Sequence, residues 1–155
     1  MPASDVPAAA CVGMPENAGE MVSSAVRADP AVIGAMRLDL ASEAPEYHQQ
    51  LREALYGDVE PTVADADAAL LTSDSPVGVA MDTTTLTRDG WGSVPRTYVV
   101  CSRDVALRPR LQQKFIDDAD AAFPDNPTSV VTLDSSHSPF LSMPQQVADI
   151  VTKLA

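Results

Sequence analysis

The sequence predicts an α/β fold, with a helical region over residues 1–90 followed by a C-terminal βαβα unit with parallel strands over 91–155. Three observations carry this. The runs TYVVC (97–101) and SVVTL (129–133) are short, β-branched and uncharged, as strands buried on both faces of a parallel sheet are. Between them, Pro109 opens a segment in which Leu111, Phe115, Ile116 and Phe123 recur near helical spacing, so 109–123 is expected to be the crossover helix. Upstream of residue 91 the chain is rich in Ala, Asp, Glu, Pro and Met, with brief periodic segments between turns.

Taken in order, ENAGEMVSSAV (16–26) places Met21, Val22 and Val26 near helical spacing and predicts a first helix. VIGAMRLDL (32–40) alternates and predicts a short strand. EYHQQLREALYG (46–57) aligns Tyr47, Leu51 and Leu55 and ends on Gly57, a helix stop. EPTVADADAALL (60–71) has Pro61 in a first-turn position and Val63, Ala66 and Leu70 on one face. After the second core strand, VADIVTKLA (147–155) follows Pro144 as a last amphipathic helix. A right-handed crossover leaves the two core strands parallel, with ligand sites at their C-terminal ends.

Composition bounds the partners. A chain of 155 residues with a net charge of -12 is long enough for one domain with a core and too acidic for a nucleic acid or an anionic membrane surface. No run approaches the roughly 18 apolar residues of a membrane span, and Met1 is not followed by a basic and then apolar leader. A cytoplasmic location is the expectation. Cys11 and Cys101 form no metal-type pair, and a buried reduced thiol is expected for Cys101. No cofactor and no metal are expected.

The chemistry sits at the strand ends. The first core strand runs into CSRD, bringing Asp104, and the second into LDSSH, bringing His137. A carboxylate bonded to one imidazole nitrogen fixes the tautomer and stabilises the cation, leaving the other nitrogen free to take a proton from a nucleophile. The order acid then histidine matches the last two members of a Ser, Asp, His arrangement. Ser102, Ser135, Ser136 and Ser138 adjoin the pair, but a nucleophile needs a strained turn aiming its oxygen at the base; they are expected to be loop hydroxyls. His48 is expected on a solvated helix face, and Trp91 and Met81 as packing residues.

The runs WGSVPRTYVVCSRDVAL, QQKF and LDSSHSPFLSMPQQVADIV together resemble the C-terminal part of the α/β-hydrolase superfamily, in the branch of plant methylesterases and hydroxynitrile lyases. The resemblance implies a partial α/β-hydrolase fold, with 13–90 where that branch carries its helical cap. It implies that Asp104, in C-x-x-D, is the triad acid and that His137, in D-x-x-H-x-x-x-L-S-x-P, is the triad base. It also implies ester hydrolysis, or related carbonyl chemistry, on a small molecule. The G-x-S-x-G elbow that carries the family's serine is missing from the sequence, since GWGS at 90–93 does not fit it. The opening MPASD resembles the strand end just before the cap, as though the chain starts midway through a family member. Two readings follow: an enzyme whose serine comes from elsewhere, such as a complementary N-terminal half, or an inactive relative serving as a binding or interaction module; an open sheet edge would leave the isolated chain self-associated or poorly folded.

Overall fold

The structure, a computed structural model, describes residues 3–154; the Met-Pro opening lies outside them. The N-terminal region begins with α1 (Ala8–Val12) and a 3-10 turn at Pro15–Asn17. A second such turn, Ser23–Ala25, leads into β1 (Val26–Arg27). No continuous helix occupies 16–26, contrary to the spacing. Gly19 takes a left-handed φ of 80°, and Glu20 turns its carboxylate onto the N–H groups of Val22 and Ser23 at 2.8 and 3.0 Å. This local capping starts a new turn inside the expected helix.

Asp29 caps α2 (Pro30–Ile33) through the N–H of Ala31, and Gly34 closes it at a φ of 70°. The expected strand therefore shortens to β2 (Ala35–Leu38), with Val32 and Ile33 in the helix. β2 pairs antiparallel with β1 and with β3 (Asp74–Pro76). Across that second pairing Arg37 meets Asp74 through two 2.6 Å bonds, a forked contact that sets register on an exposed surface. α5 (Gly78–Met81) follows β3.

The main helix of this region is α3 (Pro45–Tyr56). Tyr47 and Leu51 pack on Ala25, and the Tyr47 hydroxyl donates to the Ala25 carbonyl at 2.8 Å. His48 is half-buried, not solvated, because its Nε2 lies 2.6 Å from the Ser42 carbonyl. α4 (Pro61–Ala68) is capped by Glu60, which accepts from the N–H groups of Thr62 and Val63. Its packed face is Ala64 and Ala68, against Tyr56 and Leu141. The expected face of Val63, Ala66 and Leu70 is turned outward, with Leu70 81% exposed beyond the helix end. The Tyr56 hydroxyl donates to Asp67 at 2.7 Å and holds α4 at this angle.

The C-terminal unit follows the expectation closely. β4 (Thr97–Cys101) and β5 (Ser129–Leu133) pair in parallel, Thr97 opposite Ser129 and Cys101 opposite Leu133. α6 (Pro109–Ala122) crosses between them and buries Leu111, Gln112, Phe115 and Ile116. α7 (Pro139–Ser142) and α8 (Pro144–Thr152) complete the chain. Leu111 and Phe115 pack on Cys11, with Tyr98 and Leu107 beside them.

Two expectations of burial fail. The strands were expected to be buried on both faces, yet Ser129 and Thr132 are exposed and Val130 is 48% exposed. The parallel sheet holds two strands only among the described residues, so each strand has one edge that meets no other strand. Met81 is 57% exposed, whereas Trp91 packs as expected, its ring 5.5 Å from that of Phe123 and 4.5 Å from the Arg96 guanidinium.

Leu111→Ala should lower the unfolding free energy by about 2–5 kcal/mol, since its side chain is fully buried. Val79→Ala, at an exposed site, should change it by less than about 0.5 kcal/mol. Urea unfolding of the two variants beside the parent measures the contrast.

Candidate active site

The in-register parallel pairing sets both strand ends at one edge, and the two loops beyond them interlock. The Ser102 N–H donates to the Leu133 carbonyl and the Arg103 N–H to the Ser135 carbonyl, each at 3.0 Å. The next residue on the first loop is Asp104, 4% exposed. Its Oδ1 accepts from the N–H groups of Ala106 and Leu107, both at 2.8 Å. That leaves Oδ2 for His137, whose Nδ1 lies 2.9 Å away. A carboxylate fixed on one oxygen by two backbone donors presents the other in a set direction. With Nδ1–H donating to it, the imidazole keeps Nε2 as its acceptor.

The acid loop has a support that the sequence pattern passes over. Gln112 is 2% exposed. Its Oε1 accepts from the Cys101 N–H at 2.9 Å, and its Nε2 donates to the carbonyls of Cys101 at 3.1 Å and Leu107 at 2.7 Å. One amide thus joins the end of β4 to the far side of the Asp104 turn. Arg96 and Ser102 bond toward β5, so by alternation the backbone groups of Thr97, Val99 and Cys101 face away from it. Gln112 satisfies those of Cys101. A signal existed: Gln112 falls inside the stripe Leu111, Phe115, Ile116, and a polar residue on a buried stripe must have buried partners.

The histidine loop is tied by its hydroxyls. Ser135, Ser136 and Ser138 are all buried. Ser138 donates to the Leu55 carbonyl at 2.7 Å, and Ser135 meets the Ser142 hydroxyl at 3.1 Å. Ser136 donates to the Asp58 carboxylate. These serines are loop hydroxyls, as expected, and each has a structural partner; Ser102 is exposed and donates to Asp134 at 3.1 Å. Asp58 and its partner Arg103 were not anticipated, because the contact to Ser136 spans 78 residues and no local pattern marks it.

His137 lines a cavity of about 450 Å³ together with Cys11, Val22, Met36, Leu55, Leu107 and Phe115. Two of the polar residues in its wall are already engaged, and Ser23 also lines it. Asn17 accepts from the Arg108 N–H at 2.9 Å, and Glu20 caps its own turn. The arrangement is an apolar chamber with one imidazole in its wall. Among the described residues no group of His, Cys, Asp and Glu side chains is placed to hold a metal ion, and no helix is long and apolar enough to cross a membrane.

The surroundings show in the acid–base behaviour of the neighbours. Burial, with the Asp104 and Asp58 carboxylates adding to it, pushes the Cys101 thiol up to about 11. Burial and then Asp104 push the Tyr98 phenol up to about 12. For Asp58, burial pushes upward but is outweighed by the Ser136 hydroxyl and backbone N–H, which hold its carboxyl below the ordinary value. Both cysteines are free.

Comparison with known proteins places these features in a context. A family model described as the Alpha/beta hydrolase family matches residues 3–150. The alpha/beta hydrolase nvfD of Aspergillus novofumigatus is 30% identical over 106 residues, 68% of this chain and 39% of that protein. Methylesterase 1 of Arabidopsis thaliana is 36% identical over 67 residues, 43% of this chain and 24% of that protein. The chain thus spans about two-fifths or less of the length of the curated relatives it matches. Among solved structures, a pyrethroid hydrolase from Sphingobium faniae superposes with a TM-score of 0.72 at 22% identity, covering 98% of this chain and 56% of that one. A polyneuridine aldehyde esterase variant superposes with a TM-score of 0.59 at 16% identity, covering 78% of this chain and 43% of that one. At these identities the structural likeness concerns the fold.

With its pKa raised to about 11, Cys101 should carry only about one thiolate per thousand at pH 8. A disulfide reagent should therefore label the folded chain slowly at pH 8 and faster as the pH approaches 11, while both cysteines react promptly in urea. Prompt labelling of Cys101 in the folded chain at pH 8 would contradict the burial described.

Proposed function

The chain belongs to the alpha/beta hydrolase family, in its methylesterase-like branch, and from that premise we propose that it carries the acid–base half of a serine-type ester hydrolase. The observation that supports this is the 2.9 Å bond from His137 to a buried, backbone-fixed Asp104 beside an apolar cavity. In this reading residues 1–90 form the cap over the site and 91–155 the C-terminal part of the core. The serine and the oxyanion donors come from polypeptide outside this sequence. The substrate is a small, largely apolar ester.

The chemistry follows from the tautomer. The incoming serine hydroxyl gives its proton to Nε2 of His137 as its oxygen bonds to the ester carbonyl carbon. Asp104 stabilises the imidazolium without taking the proton itself. The imidazolium then returns the proton to the departing alkoxide, leaving an acyl-serine. Water, deprotonated by the same Nε2, attacks that acyl group, and the serine oxygen leaves by taking the proton back from the imidazolium, releasing the acid and restoring the starting state.

Exposed apolar side chains support a partner as well. Val130, Phe140 and Val151 are each about half exposed or more, and the edge of β4 away from β5 meets no strand among the described residues. An unpaired edge and exposed apolar surface each favour association with a partner. In the absence of that partner, the isolated chain should sediment as self-associated species; a single monomeric boundary that unfolds cooperatively would count against this.

Turnover tests the main reading. The chain alone should hydrolyse an activated ester hardly above background. Mixing it with the serine-bearing N-terminal half of a family member should give turnover that His137→Ala reduces by about 1,000-fold or more. Robust activity of the chain alone, or reconstituted activity indifferent to His137→Ala, would overturn it.

A further inference from the structure

Asp58 stands just past the C-terminal end of α3, with its side chain 10% exposed. Its Oδ1 accepts from the Ser136 hydroxyl, its own N–H donates to that same hydroxyl oxygen at 3.3 Å, and its Oδ2 lies 3.3 Å from Nη2 of Arg103. The two residues it holds have matching places in the chain. Arg103 immediately precedes Asp104, and Ser136 immediately precedes His137. Arg103 in turn reaches across to the histidine loop, donating to the Asp134 carbonyl at 2.6 Å and pairing with the Asp134 carboxylate at 3.0 Å.

The two members of the pair are not equally secured on their own. Asp104 is buried, with two backbone donors on one oxygen. The His137 ring has one hydrogen bond, the one to Asp104, and its side chain is 39% exposed. Where the ring sits therefore depends on where the loop backbone is held. We infer that Asp58 is a positioning residue for the pair: a carboxylate from the N-terminal region that clamps the residue before the acid to the residue before the base, and so sets the His137–Asp104 bond. Removing it strands no buried charge, because Arg103 is 53% exposed and keeps Asp134. The effect should appear in the loop and not in the fold.

The inference concerns the site read above as the acid–base half of a hydrolase, but its test reads the bond itself in the full chain. The Nδ1 proton of His137, held against Asp104, should give a low-field imidazole resonance that exchanges slowly with water. His48, the other histidine in the sequence, is the internal reference, with its ring bonded to Ser42. In Asp58→Ala the His137 proton should exchange about tenfold faster or more, as expected for losing a charged hydrogen bond, while the His48 signal stays in place. Asp58→Asn, which keeps an acceptor for Ser136, should restore slow exchange. Ser136→Ala, which deletes only a hydroxyl and leaves Asp58 the Ser136 backbone N–H and Arg103, should speed exchange in the same direction by a smaller factor, and it decides the matter if Asp58→Ala does not fold. Unchanged exchange at His137 in the folded variants, or equal acceleration at His48, would overturn the inference. Turnover plays no part in this readout, so a reconstituted enzyme indifferent to His137→Ala would end the proposed function and leave the positioning role standing.

Discussion

The parallel pairing of β4 with β5, Cys101 opposite Leu133, is the constraint on which the rest of the site depends. Because the strands run the same way and end level, the loops that follow leave from one edge and exchange backbone hydrogen bonds at once. Slipping one strand by a residue would turn its side chains to the other face and pull Asp104 and His137 apart. Only a long connection can return a chain to a parallel neighbour, and α6 supplies it. The same helix places Gln112 under the acid loop, so the element that makes the pairing possible also fixes one end of the pair.

The N-terminal region contributes by a different physics. It contains no large core of its own: Ala25, Tyr47 and Leu51 form one small cluster, and Tyr56, Val59 and Ala64 another. What fastens it to the C-terminal unit is a mixture of apolar contact, through Cys11 on Leu111 and Phe115 and through Leu141, and buried polar contact, through Ser136 and Ser138. Polar contacts of this kind are directional and costly to leave half-made. They specify one docking geometry where apolar contact alone would tolerate several.

What the sequence disclosed follows the same division. β4, β5 and α6 were legible to within a residue because uncharged β-branched runs and a Pro-started apolar stripe are local signals. Asp104 and His137 were legible because they follow those strands directly. The helix expected over 16–26 failed at Gly19 and Glu20, where a side chain caps the backbone more favourably than another turn of helix. β3 was invisible, since Asp74, Ser75 and Pro76 have no strand propensity and are held by pairing to β2 at a sheet edge, where proline is tolerated. Asp58 was invisible for the plainest reason: its partners lie 45 and 78 residues away, and nothing near it in the chain records them.

Leu55 takes part in several of these contacts at once. Its side chain packs with two apolar clusters and lines the cavity, while its backbone carbonyl receives the Ser138 hydroxyl from the histidine loop. Residues around the cavity wall therefore have unequal freedom to change. Exchange at Met36 reshapes the space from β2, which is paired with β1 and β3, and so remains open to gradual change, whereas Val22 adjoins Met21, whose N–H donates to the Val105 carbonyl of the acid loop at 2.9 Å. Exchange at Leu55 disturbs helix packing and the anchorage of the histidine loop in one step, which makes this position resistant to change, even though it looks like an ordinary leucine in the chain.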